Sequence, residues 1–336
     1  MGAPLRAVAS CLALLLALGA CSGGGGQGAD REETFRVALL TPGSVADGGW
    51  NQGAYEGLLR IRDELGAEVS HVETRSPAES EEAFRDYARQ GYDLVFGHGF
   101  EYQEPAARVA AEYPETIFVT TSGKLVRPNL APIVFQLGQV TYLCGLLGAR
   151  VSATGKLGLV GGVELPSIRG TFVAFRAGAA SARSDVEVRE VYTGNFNDVA
   201  AAREAALALL EEGADVLMHQ ANDAGRGVFR AVQDHAARGR RVFAFGTNRN
   251  QNDMAPDVVL GSAVIDLPRA LLDVARRVRE GRFEARPLRL GLREGAVRLE
   301  LNPRLRHVVP PSVLDELARR EQDIREGRLE VPGLEF

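Results

Sequence analysis

RVALLTPGSVADGGWNQGAYEGL, residues 36–58, holds an apolar run, a polar turn rich in glycine, and a helix that begins at the only tryptophan in the chain. The run at 37–40 reads as a buried strand. Trp50, Ala54, Leu58, Ile61 and Leu65 follow at the three- and four-residue spacing of one helix face. Such a turn brings a strand's carboxyl end and a helix's amino end to one place, where open α/β sheets bind ligands. Asp47, Trp50 and Asn51 therefore stand where a planar ring could stack and a polar edge could be read. The same residues equally suit a helix cap at Asp47 and a core tryptophan.

Upstream, residues 1–20 have the form of a targeting segment: Arg6 is the lone charge, 7–18 is apolar, and Leu18-Gly19-Ala20-Cys21 closes it. The apolar run is too short to span a bilayer, and no later run is long enough. The LGAC end resembles a bacterial lipobox, which makes Cys21 the expected lipidation site. Two or more acyl chains there would anchor the protein stably. Ser22 to Asp30, SGGGGQGAD, reads as a flexible tether spanning roughly 15 to 18 Å. Of the other cysteines, Cys11 leaves with the signal and Cys144 lies in an apolar helical stretch, so no disulfide is expected. Loss of Arg6 takes the net charge from -5 to -6, a balance poorly suited to nucleic acid.

Beyond the tether, strands are expected at 37–40, 69–72, 94–96 and 117–119, with helices at 50–65, 79–89 and 103–113. The wiring then repeats, with strands at 157–160, 186–192, 216–218 and 242–245 and helices at 168–180, 199–212 and 225–238. In the tail, 260–264 reads as a strand, 267–278 as a helix, 288–301 as a polar hairpin and 312–327 as an amphipathic helix. Twin α/β halves build a cleft where the carboxyl ends of their strands face each other. Those ends carry Gly97-His98-Gly99-Phe100, Thr121-Ser122-Gly123, His219-Gln220-Ala221-Asn222-Asp223 and Gly246-Thr247-Asn248 among others, nearly all polar or glycine. Singly each fits an ordinary turn; together they point to a ligand cleft.

The motifs TPGSVADGGWNQGAYEGL, FGHGF, GKLGLVGGVELPSIRGTFVAFRAG, YTGNFND and EEGADVL followed by HQANDAGRGV, in this order, resemble the basic membrane protein (PnrA-like) family of substrate-binding lipoproteins of ABC transporters. The resemblance runs from Phe35 to about Val278. It implies a type I periplasmic-binding-protein fold, two Rossmann-like lobes with a hinge and a central cleft. The lobes would comprise 35–138 plus about 262–300, and 139–261 plus about 301–336, after the signal at 1–20 and the lipidated tether at 21–34. It further implies delivery of a purine nucleoside or related compound, with the base held between two aromatic rings. Trp50 matches one ring position; the other falls at Phe175 or Phe172. Ser122, Asn248 and Ile265 stand where nucleoside binders grip the sugar with charged groups, and Asn222-Asp223 occupies the second-lobe turn. Members that take free bases share the tryptophan and the carboxylate in that turn, so a free nucleobase such as adenine is favoured over an intact nucleoside, which Asp47, Asn51 and His98 could still hold.

His98 and His219, one per half, could meet across a ligand or each be satisfied locally. No His, Cys or carboxylate spacing suits a metal, and no cofactor is expected. The chain lacks a GxSxG elbow and a GxxxxGK[ST] loop, which argues against an enzyme. The expected protein is thus a monomeric lipoprotein facing the periplasm or cell exterior and serving an ABC permease. A ligand sensor docking on a receptor would look the same.

Overall fold

The computed structural model describes residues 34–333; the signal segment, Cys21 and the glycine-rich stretch after it lie outside the described residues. The first strand, β1 (Arg36–Thr41), is buried on both faces, with Val37 and Leu39 in one apolar cluster and Ala38 and Leu40 in another. Helices on both sides of a parallel sheet produce that pattern. The chain continues through α1 (Trp50–Leu65), β2 (Glu68–Glu73), α2 (Pro77–Arg89), β3 (Leu94–Gly97), α3 (Gln103–Glu112), β4 (Ile117–Thr120) and β5 (Leu130–Phe135). Helix α4 (Gly138–Val151) then leads into a second set: β6 (Lys156–Gly161), α5 (Pro166–Ala182), β7 (Glu187–Tyr192), α6 (Val199–Glu211), β8 (Val216–Gln220), α7 (Gly225–Ala237), β9 (Phe243–Asn248) and β10 (Val259–Ile265). The tail holds α8 (Leu267–Arg279), β11 (Leu288–Leu290), β12 (Val297–Leu301) and α9 (Pro311–Arg325).

Two six-stranded sheets result, ordered β11-β5-β4-β3-β1-β2 and β12-β10-β9-β8-β6-β7. Every pairing is parallel except that of β12 with β10. Strand β5 was not expected from the sequence, because Pro132 interrupts its apolar run and proline cannot donate to a ladder. It nonetheless pairs with β4, with Pro132 opposite Thr120.

The stretch 288–301 is not the expected hairpin: β11 joins β5 in the first sheet and β12 joins β10 in the second. The chain crosses between lobes there, and the Glu294-Gly295 turn lies in the crossing. Sheet membership consequently splits the stretch 262–300, expected to belong wholly to the first lobe. Helix α8 packs on α1 and β11 edges the first sheet, whereas β10 and β12 belong to the second.

One apolar cluster runs through both lobes, including Leu39 and Phe96 of the first sheet and Leu157 and Phe245 of the second. Helices α4 and α5 cross at its centre in very close contact. A Cβ at Gly145 would strike the Phe175 carbonyl oxygen, and one at Gly178 would strike that of Tyr142. Cys144 is fully buried in α4 and unpaired, as a small apolar side chain would be. Among the described residues, no helix is long and apolar enough to cross a membrane.

Candidate ligand cleft

The turn after β1 is built on Asp47. Its Oδ1 accepts from the Gly49 and Gln52 amides at 2.9 and 3.0 Å, and its Oδ2 from the Asn51 amide at 2.9 Å. These satisfy amides otherwise orphaned at the start of α1. The capping reading of Asp47 therefore describes the structure, and the carboxylate is turned into the protein. Asn51 is buried too, and its Oδ1 has no hydrogen-bond partner among the described residues.

Trp50 is half-buried and faces a cleft between the lobes. One face of its indole lies on the His98 imidazole, with centroids 4.1 Å apart and planes 22° from parallel. His98 is fixed in turn: Nε2 donates to the Trp50 carbonyl at 2.9 Å, and Nδ1 accepts from the Thr121 hydroxyl at 2.7 Å. Burial pushes the His98 pKa down to about 3, so the ring is neutral and this tautomer is the only one that serves both bonds. Phe135 meets the indole edge-on at 6.3 Å. A neutral imidazole thus backs the indole and leaves its other face for the cleft.

The cleft offers about 110 Å³ to the centres of water-sized groups, the scale of a small ring compound. Of the residues expected at the site, Trp50, Gly99, Phe100, Ser122, Asn222 and Asn248 line it, as does Ile265. Asn222 and Asn248 hold left-handed backbone at φ 50° and 67°, a conformation asparagine tolerates better than most residues. Backbone of this kind gathers at ligand sites because it re-aims strand ends.

The remaining expectations do not reach the wall. Phe172 and Phe175 are fully buried in the shared core, because the cleft-facing side of α5 carries Ser167, Ile168 and Thr171 instead. His219 is also fully buried; its Nε2 donates to Gln251 Oε1 at 3.0 Å, and burial lowers its pKa to about 4. Asp223 pairs with Arg226 Nε at 2.8 Å and leaves the cleft to its neighbour Asn222. The two histidines are therefore satisfied within their own lobes.

Among the wall residues that the sequence reading did not single out as ligand contacts are Phe196, Gln220 and Glu101. Phe196, within the YTGNFND motif, supplies an aromatic ring from the second lobe, and Gly162 leaves room for it, since a Cβ there would strike the ring. Gln220 ends β8 on the wall. Glu101 follows Phe100 directly and is the one charged side chain lining the cleft among the described residues. Its carboxyl group opens onto the cleft yet is otherwise surrounded by protein, and this desolvation raises its pKa. No group of three or more His, Cys, Asp or Glu that could hold a metal occurs among the described residues.

Both lobes touch around this cleft. Asn222 Oδ1 accepts from the Trp50 amide at 3.3 Å, Arg226 donates to the Ala46 carbonyl at 3.3 Å, and Arg249 pairs with Glu56 at 2.9 Å. The start of α1 is thereby clasped by the second lobe.

Known proteins share this arrangement. A solved solute-binding protein of an ABC transporter system from Aeropyrum pernix K1 superimposes with a TM-score of 0.82 at 25% identity, covering 89% of this chain and 94% of that one. The fold is the type I fold of periplasmic solute-binding proteins. An ABC transporter nucleoside-binding protein, BmpA of Lactococcus lactis, is 26% identical over 89% of each chain. A purine-binding protein of Brucella abortus is 26% identical over 82% of this chain and 77% of its own length. The family model described as "ABC transporter substrate-binding protein PnrA-like" matches residues 34–335. With every described residue inside the match, the chain belongs to the PnrA-like (Bmp) family of ABC transporter substrate-binding proteins.

Proposed function

We propose that this protein binds a purine-type ligand, a free nucleobase such as adenine in preference to a nucleoside, and hands it to an ABC importer when the lobes close. The observation that carries this reading is the indole of Trp50, backed by His98, on a cleft that Phe196 of the other lobe also lines. A flat heterocycle suits such walls, and stacking on them contributes on the order of 1 to 3 kcal/mol per ring. The names of the Brucella and Lactococcus relatives support the ligand class. Preference for the free base rests on the groups that might have held a ribose: Asp47 caps α1, His98 supports the indole, and Ile265 offers no hydrogen bond. A nucleoside is the second reading, favoured by Glu101, whose carboxylate could accept from sugar hydroxyls.

In this reading the ligand leaves unchanged, and a lipid on Cys21 holds a monomer at the outer face of a membrane. Docking on a receptor in place of a permease would use the same closed form. Titration with adenine, adenosine, uracil and glucose, following the fluorescence of the only tryptophan, tests the ligand class. Saturable quenching by adenine above all others is expected, with adenine recovered intact; tighter binding of adenosine establishes the nucleoside reading, and response to glucose alone overturns both. Trp50→Ala is expected to weaken adenine binding at least tenfold by calorimetry, about 1.4 kcal/mol or more, with the melting temperature little changed. Unchanged affinity in that variant would sink the stacking site.

A further inference from the structure

Resting on the purine reading above, we infer that Glu101 sets the charge specificity of the cleft, selecting a ligand that presents an N–H donor or positive charge and rejecting an anionic one. Three observations carry this. Glu101 is the one charged side chain on the wall among the described residues; the rest of the lining is apolar or neutral and polar. Its carboxylate has its own backbone amide as hydrogen-bond donor but no ion-pair partner among the described residues. And Gly99 makes room for it: the backbone there runs at φ 152°, and a Cβ at that position would lie 2.8 Å from the Glu101 Cδ. The space beside the carboxylate is kept clear on the protein side and open on the ligand side.

A carboxylate so placed acts on ligands in two ways. An exocyclic amine or ring N–H facing it gains a charge-assisted hydrogen bond, roughly twice as strong as a neutral one. A phosphate or carboxylate brought to the same place meets a like charge, with no lysine or arginine on the wall among the described residues to offset it. Negative charge thus excludes a ligand class that stacking alone would admit, since Trp50 and Phe196 are indifferent to ring substituents.

Three compounds with one ring system separate the effects: adenine, unsubstituted purine and purine-6-carboxylate, titrated against the wild type, Glu101→Gln and Glu101→Asp, each confirmed folded by its thermal melt. The wild type is expected to prefer adenine over purine-6-carboxylate by at least a hundredfold, with purine between. Glu101→Gln should bring that ratio below tenfold, and Glu101→Asp, which keeps the charge, should hold it well above tenfold. If all three purines bind and the ratio is the same in wild type and Glu101→Gln, the role of Glu101 is overturned while the purine reading stands. Silence of the wild type toward every purine overturns the purine reading and this inference together.

Discussion

At the scale of single residues, the cleft depends on imidazoles that stay neutral. His98 bridges the Trp50 carbonyl and the Thr121 hydroxyl, and His219 donates to Gln251; both are fully buried, and burial holds their pKa values near 3 and 4. In the unfolded chain each titrates near 6.5, so the unfolded state takes up protons first as the pH falls. Their contribution is therefore complete above about pH 6.5 and is lost below it, at about 1.4 kcal/mol per pH unit for each histidine until its folded pKa is reached. The melting temperature is expected to drop by several degrees between pH 7 and pH 5, and His98→Asn should flatten part of that slope; a level profile in the wild type would contradict the assignment. The place of Trp50 after a strand and turn was legible in the sequence because that pattern is local, although the pattern alone suited a core tryptophan equally well. Glu101 and Phe196 were not, since each is one residue of an irregular strand end and only folding shows which way it points. The same limit explains Phe172 and Phe175, whose helix was legible but whose rotation about its axis depends on what α4 presents to it.

At the scale of elements, the α4–α5 crossing governs how closely two helices pack beside the second sheet, whose strands β6, β10 and β12 α4 touches. Gly145 and Gly178 bring the two backbones together, and the obstruction to any side chain at either is a carbonyl oxygen, which cannot rotate away. Gly178→Val should therefore destabilise by about 3 kcal/mol or more, at the upper end of overpacking costs. Gly239 is the control: its φ is 79° but nothing lies within 4 Å of a Cβ there, so Gly239→Ala should cost only the left-handed backbone penalty of about 1 to 2 kcal/mol. Equal losses from the two variants in denaturant titrations would show that the crossing is not tight. Most strands and helices were readable from period and punctuation, because they are local. What failed was connection: β5 was hidden by Pro132, and the two strands around Glu294-Gly295 looked like a hairpin although they edge different sheets. A turn's composition says that the chain bends, and not which sheet edge receives it.

At the scale of the whole molecule, affinity should reflect how firmly the second lobe clasps the start of α1. Hydrogen bonds join the Trp50 amide to Asn222, the Arg226 guanidinium to the Ala46 carbonyl and, at 3.4 Å, Gln251 to the Gly48 carbonyl. Arg249 with Glu56 is the ion pair of this set, 2.9 Å long and partly open to solvent. Because it forms only when the lobes are together, it favours the closed population without touching the cleft wall. A pair this exposed is worth at most about 1 kcal/mol, so Arg249→Ala should speed ligand release up to about fivefold and leave association nearly unchanged. Salt provides the second arm: molar sodium chloride screens an exposed pair, so it should raise the wild-type release rate toward that of Arg249→Ala and change the variant little. Glu56→Ala should reproduce the effect, and the double variant should add nothing, because the interaction is already gone after either change. Stopped-flow quenching of Trp50 reads all three. Release rates that match the wild type, or single effects that add in the double variant, would show that closure is held by ligand stacking and the other inter-lobe hydrogen bonds.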